Sequence, residues 1–237
     1  MISVCMATFN GEKYIKVQIE SILSQLSFVD ELIVSDDGST DKTLDIIESF
    51  HDNRIRVLHH SPVEGSAFKK ATFNFENALK YAKGDFIFLA DQDDIWHKNK
   101  ISTMLKCFND NPSLLCIQSR YKILDNKNIL FSSSFRKKRT SILGNIIHLP
   151  FRGCCMALKK ELLNYILPFP RNIIVHDAWI GIISVLKKGF LIIDDRLIDY
   201  RIHANNVSVK KSQNSFFYKI YYRFVILYQA MLRVFHT

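Results

Sequence analysis

The feature that most constrains the fold is the stretch Gly84–Trp96, where an apolar run ends abruptly in acidic residues. The run Phe86–Ala90 is rich in aromatic and aliphatic side chains, which is typical of a buried strand. Asp91, Asp93 and Asp94 follow it directly. Ligands of open α/β sheets bind beyond the C-terminal strand ends, and carboxylates suit a divalent cation shared with substrate phosphates. The stretch therefore predicts a cation and phosphate site, and the alternative is an ordinary polar loop.

The residues before this stretch alternate between predicted strands and predicted helices. The predicted strands are residues 2–7, 32–34 and 55–58. Helices are predicted after Asn10, after Thr40 and through the seventies to Lys83. Asn10 is predicted to cap the first helix, and Ser39 or Thr40 the second. Helices of this size between strands predict an α/β fold with a mostly parallel, doubly wound sheet.

Right-handed crossovers in such a sheet would bring three polar strand ends, at Thr8, Asp37 and Asp91, to one edge. The glycine motifs of dinucleotide-binding and P-loop enzymes do not occur, which disfavours both classes. Asp37 can accept hydrogen bonds from a base or a ribose, while Asp91 and Asp93 can together address a ribose and a metal. The pattern favours an enzyme whose donor is a nucleotide diphosphate, with a metal that neutralises the departing diphosphate.

Composition limits the class of protein. A chain of 237 residues, 48% hydrophobic and 23% charged, fits one sizeable domain with a small appendage. Five cysteines without a Cys-x-x-Cys pair disfavour a disulfide framework and a zinc site. We recognise no signal peptide and no run of about twenty apolar residues, so a cytoplasmic location is expected.

The net charge of +9 is concentrated in two places, a basic cluster at residues 136–139 and an acid-free segment at residues 200–237. Such charge attracts anionic lipid, phosphorylated substrates or nucleic acid. Nucleic acid is disfavoured because no nucleic-acid-binding motif is recognisable. A solvated basic face is the alternative for the cluster at residues 136–139.

The segment at residues 209–237 is predicted to be an amphipathic helical tail, separate from a domain at residues 1–208. Apolar side chains recur there at helical spacing, at Phe217, Ile220, Tyr221, Phe224, Tyr228, Met231, Leu232 and Phe235. Lys219, Arg223 and Arg233 fall on another side. A basic, aromatic helix of this kind suits a membrane interface with anionic lipid. The alternative is a terminal helix that packs on the domain or on a second subunit.

Several segments resemble the family 2 glycosyltransferases, which have the GT-A fold. In chain order they are residues 7–10, 34–41, 84–94, 152–156, 176–179 and 200–203. The form of residues 89–96, Leu-Ala-Asp-Gln-Asp-Asp-Ile-Trp, is similar to the bacterial polysaccharide branch, often labelled rhamnosyltransferase-like. The resemblance covers residues 2–208 and implies a Rossmann-like central sheet flanked by helices.

The resemblance also implies roles for the matched residues. The implied nucleotide-sugar-binding residues are Thr8, Phe9, Asn10, Asp37 and Asp91. The implied metal ligands are Asp93 and His203, which would hold Mg²⁺ or Mn²⁺ at the donor diphosphate.

The resemblance implies that Asp177 is the catalytic base, with His176 and Trp179 on the acceptor side. An inverting transfer needs such a base near the acceptor hydroxyl, opposite the departing diphosphate, and the Trp179 ring would form a floor for a sugar. Burial would raise the pKa of Asp177, whereas a His176 cation would lower it. The sequence leaves this balance open, and a helix N-cap is the alternative role for the pair.

The sequence therefore predicts a metal-dependent inverting hexosyl- or deoxyhexosyltransferase of bacterial surface polysaccharide synthesis, such as O-antigen or capsule. Its donor would be a UDP- or dTDP-sugar, and its acceptor a hydroxyl of a glycan linked to polyprenyl diphosphate. A peripheral position at the inner face of the membrane and a homodimer are further expectations. The alternatives are a non-catalytic nucleotide- or membrane-binding scaffold and a sugar-1-phosphate nucleotidyltransferase. The latter is disfavoured because no Gly-rich loop bearing Arg and Lys occurs near the N-terminus.

Overall fold

A computed structural model describes residues 1–124, 130–131, 144, 149–203 and 215–235 of the chain. The basic cluster predicted at residues 136–139 and the domain boundary predicted at residues 208–209 lie outside the described residues.

The N-terminal part alternates strands and helices as predicted. Its strands are β1 (Ile2–Thr8), β2 (Glu31–Asp36), β3 (Ile55–His59) and β4 (Phe86–Asp91), and its helices are α1 (Ile15–Leu23), α2 (Thr43–Glu48) and α3 (Ala67–Lys80). The predicted α/β class and the four predicted strands are confirmed, with each strand one to three residues longer than the apolar run that predicted it.

The C-terminal part is more irregular. Its strands are β5 (Ile95–Trp96), β6 (Cys116–Leu124), β7 (Leu130–Phe131), β8 (Met156–Lys159) and β9 (Phe190–Arg201). Its α-helices are α4 (Lys100–Asp110), α5 (Leu163–Ile166), α6 (His176–Leu186) and α7 (Phe216–Phe235). Short 3₁₀ turns at Gly153–Cys155 and Lys160–Leu162 flank β8.

One sheet joins the two parts, with the strand order β3-β2-β1-β4-β8-β6-β9-β5 and with β7 beside β6. The first four strands of this order are parallel to one another. Strand β8 is antiparallel to both β4 and β6, whereas β6 and β9 are parallel. The parallel strands β1, β2 and β4 therefore end at one edge, as right-handed crossovers predict.

Strands β1, β2 and β4 are buried on both faces, which explains why each contains a continuous apolar run, whereas the edge strand β3 is only half-buried. Val4 and Met6 pack against α1, α2 and α4, while Cys5 between them packs against α3 and α6. In β4, Phe88 belongs to the same layer as Val4 and Met6, and Leu89 belongs to the same layer as Cys5. Two hydrophobic layers thus hold the sheet rigid beneath the loops at its edge.

The predicted helix caps were wrong. Asn10 has a positive φ of 49° and its Oδ1 accepts a hydrogen bond from the Thr40 N–H at 2.8 Å, so it ties two loops together. Helix α1 begins only at Ile15 and has no side-chain cap. Neither Ser39 nor Thr40 caps α2, and Asp41 instead accepts from the Thr43 N–H at 3.0 Å. Short polar side chains can cap a helix or close a loop, and tertiary contacts decide between these roles.

The predicted C-terminal helix is present as α7, which packs against α5 and α6. Ile226 and Ala230 are buried in the hydrophobic layer that contains α3 and α6. Among the helices of the described ranges, none combines the length and the apolarity that crossing a membrane requires.

Candidate active site

Asp36, at the end of β2, shapes the second polar loop. Its Oδ1 accepts hydrogen bonds from the hydroxyls of Thr8 at 2.9 Å and Ser39 at 2.6 Å. Its Oδ2 accepts from the N–H groups of Gly38 at 3.0 Å and Ser39 at 2.8 Å. Gly38 has φ +78°, in the left-handed region that glycine adopts without strain. Asp36 is thus occupied within the protein, and Thr8 serves as one of its hydrogen-bond donors.

Asp37 follows at the mouth of the same loop. Its Oδ1 lies 2.6 Å from Nδ1 of His60, and its N–H donates to the Thr8 carbonyl at 3.0 Å. Burial raises the pKa of Asp37, while the hydrogen bond and charge of His60 and the charge of Lys70 act in the opposite direction. The sequence analysis missed His60, which lies 23 residues further along the chain and reaches Asp37 only because β2 and β3 are neighbours.

Gln92 connects the first loop to the acidic loop. Its Oε1 accepts from the Phe9 N–H at 2.9 Å, and its Nε2 donates to the Phe9 carbonyl at 3.0 Å. A Cβ at Gly11 would lie only 2.5 Å from this Oε1, so a side chain there would displace the Gln92 amide. The Phe9 ring itself is 54% exposed. Gln92 therefore fixes the backbone that presents Phe9 at the edge of the sheet, and the sequence analysis missed this role.

The three strand ends are neighbours in space. Thr8 is in register with Asp36, and Ala7 is in register with Asp91. Since β1 separates β2 from β4, the ends of these strands are two strand spacings apart, about 10 Å. That span is suited to a nucleotide lying across the edge, as the sequence predicts.

The end of β9 reaches the acidic loop and brings the two predicted metal ligands together. Nε2 of His203 lies 2.8 Å from Oδ2 of Asp93. Arg201 holds the loop in place, since its N–H donates to Asp94 Oδ1 and its Nε donates to the Asp93 carbonyl, both at 3.1 Å. The ring of His203 lies 4.7 Å from that of Tyr14, centroid to centroid.

Deeper in the loop, ligand atoms of Asp91, Asp94 and Cys154 lie within 4.8 Å of one another. Burial and the charge of Asp93 raise the pKa of Asp91 to about 7, and burial raises the pKa of Asp94 well above its usual value. A hydrogen bond with Cys155 and burial raise the pKa of the Cys154 thiol, which therefore stays protonated and is a poor metal ligand. The carboxylates are a donor set that fits Mg²⁺ or Mn²⁺.

Beneath this cluster, the side chain of Lys100 is fully buried. Its Nζ donates to the Cys154 carbonyl at 2.8 Å and lies 3.6 Å from the centre of the Trp96 ring. Burial lowers the pKa of Lys100 to about 8, although the charges of Asp94 and Asp91 oppose this effect. The ammonium group offsets part of the negative charge that the acidic loop concentrates.

Asp177 lies in the first turn of α6, on the other side of the acidic loop. Its Oδ1 accepts from the Ala178 N–H at 2.6 Å. Burial raises the pKa of Asp177 to about 6, despite the opposing charge of Arg152. The charge of Asp177 also raises the pKa of Asp91, so the two carboxylates are close enough to interact. A carboxylate with a pKa near 6 can act as a general base at neutral pH.

His176 does not lower the pKa of Asp177. Burial lowers the pKa of His176 to about 3, so its ring is neutral at physiological pH. The ring packs on Phe75 with the centroids 4.2 Å apart, and the backbone N–H donates to Thr72 Oγ1 at 3.0 Å. The balance that the sequence left open is therefore decided by burial.

The prediction that Trp179 lines the acceptor side was wrong. Trp179 is 0% exposed, and its Nε1 donates to the Ile166 carbonyl at 2.9 Å inside the hydrophobic core. Residues two apart on a helix point in different directions, so Asp177 and Trp179 do not face the same space. The indole supports α6 from within and does not form the floor of a sugar site.

Arg152 is a site residue to which the sequence analysis gave no role. Its guanidinium lies 4.9 Å from the ring centres of both Tyr121 and Tyr200. Its positive charge lowers the pKa of both Asp177 and Asp91. The sequence signal for Arg152 was its place in the family-like segment at residues 152–156. Its partners Tyr121 and Tyr200 lie on β6 and β9, which the sequence does not connect to it.

Comparisons with known proteins identify the family that this chain resembles. The model of the glycosyl transferase family 2 matches residues 3–167. The Escherichia coli UDP-Glc:alpha-D-GlcNAc-diphosphoundecaprenol beta-1,3-glucosyltransferase WfgD is 30% identical over 224 residues, which cover 90% of this chain and 83% of that protein. The Shigella flexneri dTDP-rhamnosyl transferase RfbG is 29% identical over 215 residues, which cover 85% of this chain and 72% of that protein.

Solved structures share the fold at low sequence identity. Staphylococcus aureus TarS 1–349 in complex with UDP-GlcNAc superimposes with a TM-score of 0.70 at 20% identity, covering 99% of this chain and 72% of that one. The Pyrobaculum calidifontis mannosyltransferase PcManGT in complex with GDP-Man and Mn²⁺ superimposes with a TM-score of 0.63 at 16% identity, covering 98% of this chain and 73% of that one. With the match to the family model and the identity to WfgD, these findings lead to one conclusion: the chain belongs to the family 2 glycosyltransferases, within the group that serves bacterial polysaccharide synthesis.

Proposed function

We propose that this chain is a metal-dependent inverting glycosyltransferase that uses a UDP- or dTDP-sugar as its donor. It would transfer the sugar to a hydroxyl of a glycan linked to polyprenyl diphosphate. The names of WfgD and RfbG state a UDP-Glc and a dTDP-rhamnosyl donor, and that of WfgD states a diphosphoundecaprenol acceptor. The observation that carries the proposal is the meeting of Asp177, with its raised pKa, and the acidic loop after β4.

The nucleotide would lie across the ends of β2, β1 and β4. Asp37 is positioned by His60 and presents a carboxylate at the mouth of its loop. Phe9 offers an exposed ring to a base, on backbone that Gln92 holds at both N–H and carbonyl. Asn10 supports this loop through Thr40. Asp91 would lie near the ribose. Binding of the base and ribose would leave the diphosphate over the acidic loop.

Asp177 would take the proton of the acceptor hydroxyl. As it does so, the hydroxyl oxygen forms a bond to the anomeric carbon, and the bond from that carbon to the donor diphosphate oxygen breaks. Attack from the side opposite the diphosphate inverts the configuration at that carbon. A positioned general base typically accelerates such a step by about 10² to 10⁴-fold. Arg152 keeps the pKa of Asp177 from rising further, which favours the deprotonated form near neutral pH.

Asp93 and His203 are the residues that we propose for the divalent cation. They lie together at the partly exposed end of the acidic loop, whereas Asp94 is 1% exposed and accepts from the Arg201 N–H. When bound, Mg²⁺ or Mn²⁺ would supply positive charge that stabilises the departing nucleotide diphosphate.

A direct test is transfer by the purified full chain from UDP-glucose and dTDP-rhamnose to a GlcNAc-diphospho-lipid, with Mg²⁺ or Mn²⁺ and with a chelator. We expect metal-dependent transfer that Asp93→Asn lowers at least about tenfold, because a lost charge-assisted contact costs about 1.5–3 kcal/mol. Asp195→Asn, an exposed carboxylate on β9, is the matched control and should transfer at the wild-type rate.

The products distinguish this proposal from its alternatives. A nucleoside diphosphate should accumulate in step with the glycosylated lipid. Pyrophosphate in its place would contradict the proposal and indicate a nucleotidyltransferase. Full activity in excess chelator would contradict the metal dependence alone.

A further inference from the structure

Helix α7 is apolar on the side that faces away from the domain. The side chains that recur at helical spacing are all exposed, namely Phe217, Ile220, Tyr221, Phe224, Tyr228, Met231, Leu232 and Phe235. We call this set the outer row. Phe217 is 81% exposed and Phe235 is 72% exposed, so the row extends over the whole helix. A continuous apolar face of this length on a protein surface marks an interaction site.

The opposite side of α7 fixes how the outer row is presented. Ile226 and Ala230 are buried against the domain. The Tyr222 hydroxyl accepts from the N–H groups of Ile174 at 2.9 Å and Val175 at 3.0 Å. Arg233 donates to the carbonyls of Leu167 at 2.7 Å and Pro168 at 2.8 Å. Since α7 is held by polar and apolar contacts along its length, the outer row faces solvent as a fixed surface.

We infer that the outer row is the docking surface of this protein for an anionic phospholipid bilayer, with α7 lying in the plane of the interface. Phenylalanine and tyrosine side chains favour the boundary between lipid headgroups and acyl chains. The described helix contains Lys219, Arg223 and Arg233 and no acidic residue. Residues 217–221 are all exposed, so Lys219 is free of the domain at the beginning of the helix. Lys219 and Arg223 complement anionic headgroups, whereas Arg233 is bonded to the domain.

Charge also separates a bilayer from a second copy of the chain as the occupant. The cations lie on another side of α7, and a second copy packed on the outer row would bring no acidic residue of its described helix to Lys219 and Arg223. A layer of anionic headgroups carries negative charge across the whole interface and attracts these residues.

The position of α7 connects the surface to the site. Val175, which donates to Tyr222, is two residues before Asp177. A bilayer against the outer row would lie one helix diameter, about 10 Å, beyond this contact, where a lipid-linked acceptor could reach the base. This part of the inference rests on the proposed function, while the docking itself does not.

The test is cosedimentation of the full chain with vesicles of phosphatidylglycerol and phosphatidylcholine. The double variant Phe224→Glu/Tyr228→Glu places two charges in the outer row. Its control, Phe28→Glu/Val29→Glu, makes the same charge change at two exposed apolar residues before β2. We expect binding to fall at least about tenfold for the first variant, because each buried aromatic side chain is worth about tenfold or more, and to change little for the control.

Headgroup charge is tested separately. Vesicles of phosphatidylcholine alone should bind the wild-type chain more weakly. The variant Lys219→Gln/Arg223→Gln should lose affinity for the anionic vesicles only, by about fivefold for each charge. Equal losses in both double Glu variants, or no loss in either, would overturn the inference.

Two further measurements distinguish a bilayer from a second copy as the occupant, and failure of the docking inference from failure of the proposed function. Light scattering without lipid should show the same mass for the wild type and Phe224→Glu/Tyr228→Glu, and a dimer that this variant dissociates would overturn the bilayer as occupant. With an acceptor embedded in vesicles, the variant should lose transfer at least about tenfold, yet retain it with a water-soluble acceptor. Absence of transfer by the wild-type chain would contradict the proposed function and leave the vesicle binding result intact.

Discussion

Two aspartates, one at the end of β2 and one at the beginning of α6, show how differently the two parts of the molecule hold a carboxylate. Asp36, at the end of a parallel strand, accepts four hydrogen bonds from Thr8, Gly38 and Ser39. Asp177, at the beginning of a helix in the mixed half, accepts from its neighbour Ala178 and has a raised pKa of about 6. The Asp36 carboxylate is occupied in building a loop, whereas burial outweighs the hydrogen bonds to Asp177 and leaves a carboxylate that can accept a proton.

The largest expected effect comes from removing the base. Asp177→Asn should lower the rate of transfer by about 10² to 10⁴-fold, because the amide cannot take the proton of the acceptor hydroxyl. Binding of UDP or dTDP should be unchanged, since the nucleotide contacts are proposed for the ends of β2, β1 and β4. Single-turnover transfer and calorimetric titration measure the two quantities. Loss of nucleotide binding together with transfer would show that Asp177, like Asp36, maintains the structure and does not act as the base.

The same two positions should affect stability in opposite directions. Asp36→Asn should destabilise the protein by about 1.5–3 kcal/mol, because an NH₂ group would face the N–H donors that the carboxylate now satisfies. The pKa of Asp177 is about 6 in the folded protein and about 3.9 in an unfolded chain. Its carboxyl therefore contributes stability that is complete below about pH 4 and is lost as the pH rises through about 6.

It follows that Asp177→Asn should be more stable than the wild type at pH 7, by about 1–2 kcal/mol, and about equal to it at pH 4. Thermal unfolding of both variants between pH 4 and pH 7 measures these differences. A loss of stability at pH 7 in Asp177→Asn would mean that the carboxylate is satisfied in the folded protein, like that of Asp36.

The smallest effect concerns Arg152, whose positive charge lowers the pKa of both Asp177 and Asp91. Transfer should increase with pH through about 6, as Asp177 loses its proton. Arg152→Gln removes a positive charge that lowers the pKa of Asp177, so this rise should move to higher pH. Arg152→Lys keeps the charge and should keep the wild-type profile. An unchanged profile in Arg152→Gln would show that Arg152 acts only through packing against Tyr121 and Tyr200.

The N-terminal half could be predicted because its information is local. A strand buried on both faces appears as a continuous apolar run, and the handedness of crossovers then fixes which ends meet. This reasoning located Thr8, Asp37 and Asp91 at one edge without any distances. It failed for Asn10 and Ser39, because the loops that these side chains close are about 30 residues apart in the chain.

The candidate active site depends on contacts between segments that are distant in the chain, and the sequence alone does not reveal these contacts. His60 reaches Asp37, and Arg152 lies between two tyrosines, through the order of strands in the sheet. Burial is equally non-local, and it makes His176 neutral, raises the pKa of Asp177 and removes Trp179 from the acceptor side.

The sequence by itself determined the α/β order, the acidic loop and the helical period of the C-terminal segment, since each is a pattern within a few consecutive residues. Tertiary structure alone decided which side chains of these elements are buried and which face the site or the solvent. A helix with apolar side chains on two sides can bury either one, and the shape of the domain selected Ile226 and Ala230 and left the outer row exposed. Position in the fold, which sets burial and neighbouring charge, also turned Asp36 into a structural carboxylate and gave Asp177 the pKa of a base.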